Sequence, residues 1–118
     1  MIGSIISNTR SLESALDASY LRGEVIQHNI ANVDTPGYKA CRVEFESLLQ
    51  EAQKSSGSAA VQAQVTQDDG ASMRLDGNNV DVEKEMGALA KNKLWYDTLV
   101  RQLNENYTRL RMCIREGK

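Results

Sequence analysis

The sequence has one histidine, His28, so any Ser–His–Asp or Cys–His nucleophile would have to be assembled on it. It falls beside Asn29 inside a helical pattern, where the plain reading is a partly exposed helical side chain rather than a base. Cys41 and Cys113 are the two cysteines, far apart and without CxxC spacing, so they form neither a disulfide framework nor a zinc site and are expected as free thiols. The run Asp76-Gly77-Asn78-Asn79-Val80-Asp81 looks like the start of a calcium loop. An EF-hand, however, needs an oxygen ligand at its fifth position and glycine at its sixth, where this chain has Val80 and Asp81. A turn leading into a helix cap fits those residues better. Gly70 and Gly77 stand alone and make no phosphate-cradling loop, and the glycosylation sequon Asn106-Tyr107-Thr108 lies within a helical pattern, so it is expected to be a chance match. The residues thus assign no catalytic, cofactor-binding or metal position and no cofactor, and an enzyme is not expected.

The most specific local chemistry acts on the backbone. In Asn32-Val33-Asp34-Thr35-Pro36-Gly37-Tyr38, Asn32 suits a helix C-terminus, and Pro36 fixes its own φ while pushing Thr35 out of the α region. Gly37 supplies the positive φ that a type II turn needs at its third position. Such a turn has to be presented by something long and regular, and two segments qualify. From Ser4 to Asn32, steps of four and three run through Ile5, Thr9, Leu12, Leu16, Ser19, Gly23, Ile26 and Ile30 to Val33. The polar and small members weaken this stripe, and Gly23 costs roughly 1 kcal/mol of helix propensity relative to Ala. The second segment is stronger. Asp81 is a good N-cap, Glu83 and Glu85 complement the helix dipole, and Val82, Met86, Leu89, Lys93, Tyr96, Val100, Leu103, Tyr107, Leu110 and Ile114 keep the alternation to the end. These arms would run about 40 Å and about 50 Å.

Between them, Phe45, Leu48, Leu49 and Ala52 predict a short amphipathic helix within Arg42–Lys54. From Lys54 to Gly77 the chain is polar, with Val61, Val65, Met73 and Leu75 as a brief extended piece, and is expected to be a flexible or partner-ordered insert. The predicted fold is all-α: two long terminal helices packed as a coiled-coil-like hairpin, with a short helix and a flexible polar middle. Residues 1–40 hold the first helix and turn, 41–80 the short helix and insert, and 81–118 the second long helix, all within one structural domain. Leu94, Trp95 and Leu99 lie off the second stripe and still need burial, so apolar surface exceeds what one hairpin covers.

Bulk properties narrow the classes. With 118 residues, 14 Lys and Arg against 16 Asp and Glu, and a net charge of -2, the chain has no electrostatic footprint for nucleic acid. Mean hydropathy of -0.47 and the lack of a long apolar run argue against membrane insertion. The first ten residues lack the basic and apolar regions of a cleavable signal.

The stretch Asn29-Ile30-Ala31-Asn32-Val33-Asp34-Thr35-Pro36-Gly37-Tyr38 resembles the N-terminal signature of the flagellar rod and hook axial proteins. Asp76 through Met86, with Leu89, Asn92, Leu94 and Tyr96 beyond it, is similar to the C-terminal region of a rod member of that family, and so is the close at Gly117-Lys118. His28 and Cys41 depart from the usual pattern without touching the turn. Within the motif, Asn29, Ala31, Asn32, Thr35, Pro36, Gly37 and Tyr38 are the candidate turn residues. Leu12, Leu16, Ile26, Ile30, Met86, Leu89, Tyr96, Val100, Leu103, Tyr107 and Leu110 are the candidate assembly seam. The resemblance implies a structural subunit of the proximal rod of the bacterial flagellar basal body, in the periplasm. It would be exported without a cleaved signal through the flagellar type III apparatus and would self-assemble through its terminal helices into the hollow drive shaft. Implied partners are other copies of the chain, the rod proteins FlgC and FlgF, FliE, the MS ring and the export gate, with no nucleic acid and no direct membrane insertion. A stand-alone helical adaptor or chaperone for a soluble partner is the alternative, for which the turn motif would be a coincidence.

Overall fold

The computed structural model describes residues 2–54, 61–70, 72 and 74–117. The chain runs α1 (Ile2–Ala31), β1 (Cys41–Glu44), α2 (Glu46–Lys54), β2 (Gln64–Gln67) and α3 (Val82–Arg115). α1 and α3 form the expected antiparallel hairpin: Ser19 bonds to Asn92, Thr9 to Asn106 and Asn29 to Glu85. Asp81 caps α3 as its sequence position requires, with extended backbone and a side chain accepting from the Glu83 and Lys84 amides. Gly117, at φ 68°, follows the far end.

The middle differs from the sequence reading. The predicted helix from Arg42 begins only at Glu46, because Cys41–Glu44 is extended and pairs antiparallel with Gln64–Gln67, Val43 opposite Val65. Val43 and Phe45 alternate with Arg42 and Glu44, a period of two that buries both apolar side chains. The expected flexible or partner-ordered insert from Lys54 to Gly77 falls partly on residues 55–60, 71 and 73, outside the described residues. Of the rest, Gln64–Gln67 is an exposed strand and residues 74–77 form a turn. The fold is therefore mostly helical, with a two-stranded sheet at the turn end of the hairpin.

The molecule measures 65 × 29 × 14 Å, with a radius of gyration of 18.1 Å against about 13–14 Å for a compact chain of this length. Its least dimension is little more than one helix diameter. Among the described residues α1 and α3 lie side by side in one layer, and beyond the stripe each turns to the other, α1 is covered by β1 and α2 at the turn end. No helix among the described residues is long and apolar enough to cross a membrane.

Candidate assembly interface

The turn motif and the Asp76–Asp81 segment, 40 residues apart, meet in one hydrogen-bonded junction. Asn29 is fully buried and uses its whole amide. Nδ2 donates to Cys41 O at 2.9 Å and Glu85 Oε2 at 3.3 Å, while Oδ1 accepts from Cys41 N and the Tyr38 hydroxyl, both at 2.9 Å. It thus pairs with both backbone groups of Cys41 as a neighbouring strand would, which explains why the chain leaves the turn extended. Asn32 closes α1 through its side chain: Nδ2 donates to His28 O and Oδ1 accepts from Thr35 Oγ1. The Tyr38 amide bonds back to Thr35 O, with Gly37 at φ 72°, which is the turn the sequence dictates. Ala31, Thr35, Pro36 and Gly37 are exposed around it. His28 is exposed, its Nδ1 3.0 Å from the Tyr38 hydroxyl.

Two residues that the sequence reading placed only in a turn hold this junction shut. Asn78, also fully buried, directs Nδ2 at the carbonyls of Asn32, Val33 and Thr35 at 2.9–3.0 Å. Its Oδ1 accepts from Val80 N. Asn79 accepts from Ala40 N and donates to Asp68 O. Gly37 N bonds to Asp76 O, and Lys39 and Arg74 reach Gly77 O and Val33 O. The carbonyls of the turn that follows α1 are therefore satisfied from across the fold, while those of its last helical turn are met locally by Asn32 and Val33.

Along the hairpin, Leu89, Tyr96, Leu103 and Leu110 line the side of α3 next to α1, with Leu103 buried and the others half-buried. On α1, Ile26 is buried and Leu12, Leu16 and Ile30 are half-buried. The second row of the intrachain contact is Glu85, Asn92, Leu99 and Asn106, all buried and seven residues apart. It is not the row of Met86, Val100 and Tyr107 that apolar periodicity selects. Met86 and Tyr107 turn toward a broad face, 54% and 41% exposed, while Val100 is half-buried beside Leu16 and Leu103. Leu99, thought to lie off the stripe, is core, whereas Leu94 and Trp95 are exposed. Three of the four members of the inner row are polar, which hid it from a search for hydrophobic spacing. The seven-residue recurrence itself was the available signal. Within the sequon, Asn106 is the buried member and Tyr107 the exposed one, the reverse of what the stripe suggested.

The polar row sets register. Asn92 accepts from Ser19 Oγ and donates to Ser19 O at 2.8 Å, and Asn106 Nδ2 reaches Thr9 Oγ1. A one-turn slip would take the buried Asn92 and Asn106 amides away from these partners. Glu85, 1% exposed, lies 2.6 Å from Arg42 Nη1, off the N–H axis, so the contact is an ion pair rather than a directed hydrogen bond. Arg22 binds Glu46 through both guanidinium nitrogens and so ties α1 to α2, holding the Glu46 carboxyl below the ordinary carboxylate range. The Tyr38 phenol is pushed up by burial and then by neighbouring Cys41 and Glu85. The Tyr107 phenol is pushed up by donating to Glu13. All of this is positioning chemistry: it fixes one hairpin in one register and presents its two broad faces.

A family model described as "Flagella basal body rod protein" matches residues 10–39, which include the whole turn motif. The chain is 37% identical to the flagellar basal body rod protein FlgB of Bacillus subtilis (strain 168), over 98% of this chain and 99% of that protein. It is 33% identical to FlgB of Aeromonas hydrophila, covering 81% and 83%, and 30% identical to FlgB of Escherichia coli (strain K12), covering 81% and 84%.

Proposed function

This chain belongs to the FlgB family of flagellar basal body rod proteins, a structural and non-enzymatic family, and from that premise we infer how it builds the rod. The hairpin is one repeating unit of the proximal rod, and its broad faces pack against neighbouring subunits to make the wall of a hollow shaft. One observation carries this reading. The hairpin is a single helical layer, 14 Å thin, that leaves Met86, Leu94, Trp95, Met112 and Ile114 exposed. Each Leu or Ile buried on assembly would contribute roughly 1.5–3 kcal/mol, and two faces supply several such residues.

The neighbours in this reading are other copies of the chain, FlgC, FlgF and FliE, near the MS ring and export gate. The site is the periplasmic part of the basal body, reached unfolded through the flagellar export apparatus. A hairpin with a single seam suits that route, because it has little core to assemble before its neighbours cover it.

The test is deletion of the gene, followed by electron microscopy of isolated basal bodies and immunodetection of the chain in the complemented strain. Rings without rods in the deletion, and the chain within rods after complementation, are expected. Intact rods in the deletion strain, with the chain recovered on one soluble client, would establish the adaptor reading instead.

A further inference from the structure

Two rows of side chains, one on each broad face of the hairpin, carry opposite charges that no ion pair within one copy uses among the described residues. On one face α1 presents Asp17, Tyr20 and Glu24, all exposed, with Tyr20 62% so. On the opposite face, the one that α2 flanks, α3 presents Lys84, Ala88 and Lys91, also exposed. Among the described residues no ion pair engages Asp17, Glu24, Lys84 or Lys91, whereas Lys93, Glu105 and Arg109 find partners within their own helix. The spacings match in one direction only. From Asp17 the steps are three to Tyr20 and four to Glu24. From Lys91, read backward, they are three to Ala88 and four to Lys84.

Resting on the rod reading above, we propose that successive copies stack face to back, with α1 of one copy antiparallel to α3 of the next. Asp17 then meets Lys91, Glu24 meets Lys84, and the Tyr20 ring sits over the small Ala88 between them. Because α1 and α3 are already antiparallel within each chain, this contact leaves all copies pointing the same way. It is heterologous, so it propagates into a ring or helical array and cannot close as a two-fold dimer. Ser19 lies opposite Asn92 within the chain but opposite residue 89 of the next copy, a stagger of about 4–5 Å. The charges give direction and register, and the exposed apolar side chains beside them, Trp95 among these, give area.

Charge reversal tests this in a strain whose own gene is deleted, with the chain counted in isolated basal bodies. D17K/E24K alone and K84E/K91E alone set like charges against each other at two positions, and each should lower incorporation by more than about tenfold. The four substitutions together restore complementarity in inverted form and should restore incorporation. So should co-expression of the two double variants, which can alternate. Circular dichroism of each purified variant checks that these surface changes leave the helices intact. Wild-type incorporation of either double variant would overturn the pairing while leaving the rod role standing. Failure of both the fourfold variant and the mixture would overturn it too, since the faces would then belong to other proteins. Normal rods in the parent deletion strain would instead remove the rod reading itself.

Discussion

At the scale of single residues, buried amides carry most of the specificity. Asn29 satisfies four hydrogen bonds with one side chain, and both backbone groups of Cys41 depend on it. Asn29→Asp keeps the shape but turns the donors toward Cys41 O and Glu85 into acceptors, beside an existing carboxylate. A loss of at least about 2 kcal/mol is expected in thermal unfolding, because buried polar groups are left unpaired. Asn32→Asp, half-exposed, should cost clearly less. Gly37 is the second sensitive point: its φ of 72° makes Gly37→Val strained by about 1 kcal/mol or more, although open space surrounds it. The two perturbed phenols predict an alkaline limit. A phenol whose folded pKa is raised contributes fully below its ordinary value near 10, and that contribution is lost as pH rises through the folded value. Titration followed by phenolate absorbance should show two late-ionising tyrosines, one removed by Tyr38→Phe and the other by Tyr107→Phe. Ordinary midpoints for both would show that neither hydroxyl is held as described.

At the scale of elements, the decisive question is which stripe of α3 faces α1. Leu103 is 5% exposed and Gln102, its neighbour, faces solvent, so Leu103→Asp should lose at least about 2–5 kcal/mol while Gln102→Asp is nearly silent. Leu99→Ala and Met86→Ala separate the two candidate rows further. The first should destabilise the isolated chain by about 2–5 kcal/mol. The second, on an exposed side chain, should leave the melting temperature almost unchanged yet weaken incorporation into rods. Equal melting losses for the two would return the seam to the purely apolar row. The long helices, the turn and the Asp81 cap were legible because each rests on local chemistry: periodicity, the φ preferences of Pro and Gly, and a side chain bonding its own helix. The inner row was not, because Glu85, Asn92 and Asn106 gain their places from partners on α1 and β1 that no local rule names. β1 was partly legible in the alternation around Val43 and Phe45. The helical spacing from Phe45 to Ala52 overlapped it and masked the shorter signal. Asn78 and Asn79 look like turn formers in the sequence, because the acceptors of Asn78 and the Ala40 donor to Asn79 lie about 40 residues away.

For the molecule as a whole, the two ends of the hairpin are unequal. At the junction end, Ala40, Val43, Phe45 and Val80 are buried, the amides of Asn29 and Asn78 are saturated, and Arg22–Glu46 and Arg42–Glu85 bind the sheet and α2 to the helices. Toward the open end the packing thins. Ile2 and Ile6 are about two-fifths exposed, Met112 and Ile114 more so. Asn106 Oδ1 is buried there without a hydrogen-bond partner among the described residues. Opening should therefore begin at the open end and stop at the junction, since local stability follows the density of buried contacts. Hydrogen exchange on dilute, verified monomer should show protection falling from residues 82–96 toward residues 104–115, and likewise from 22–31 toward 2–12. The two ends should differ by more than about a hundredfold, because fraying ends open at almost no cost while the junction opens only with the global fold. In assembled rods the gradient should flatten, as neighbouring copies cover the open end and complete its packing. Strong, even protection across residues 82–114 in the monomer would mean that the hairpin is self-sufficient, and its exposed faces would then need another explanation than assembly.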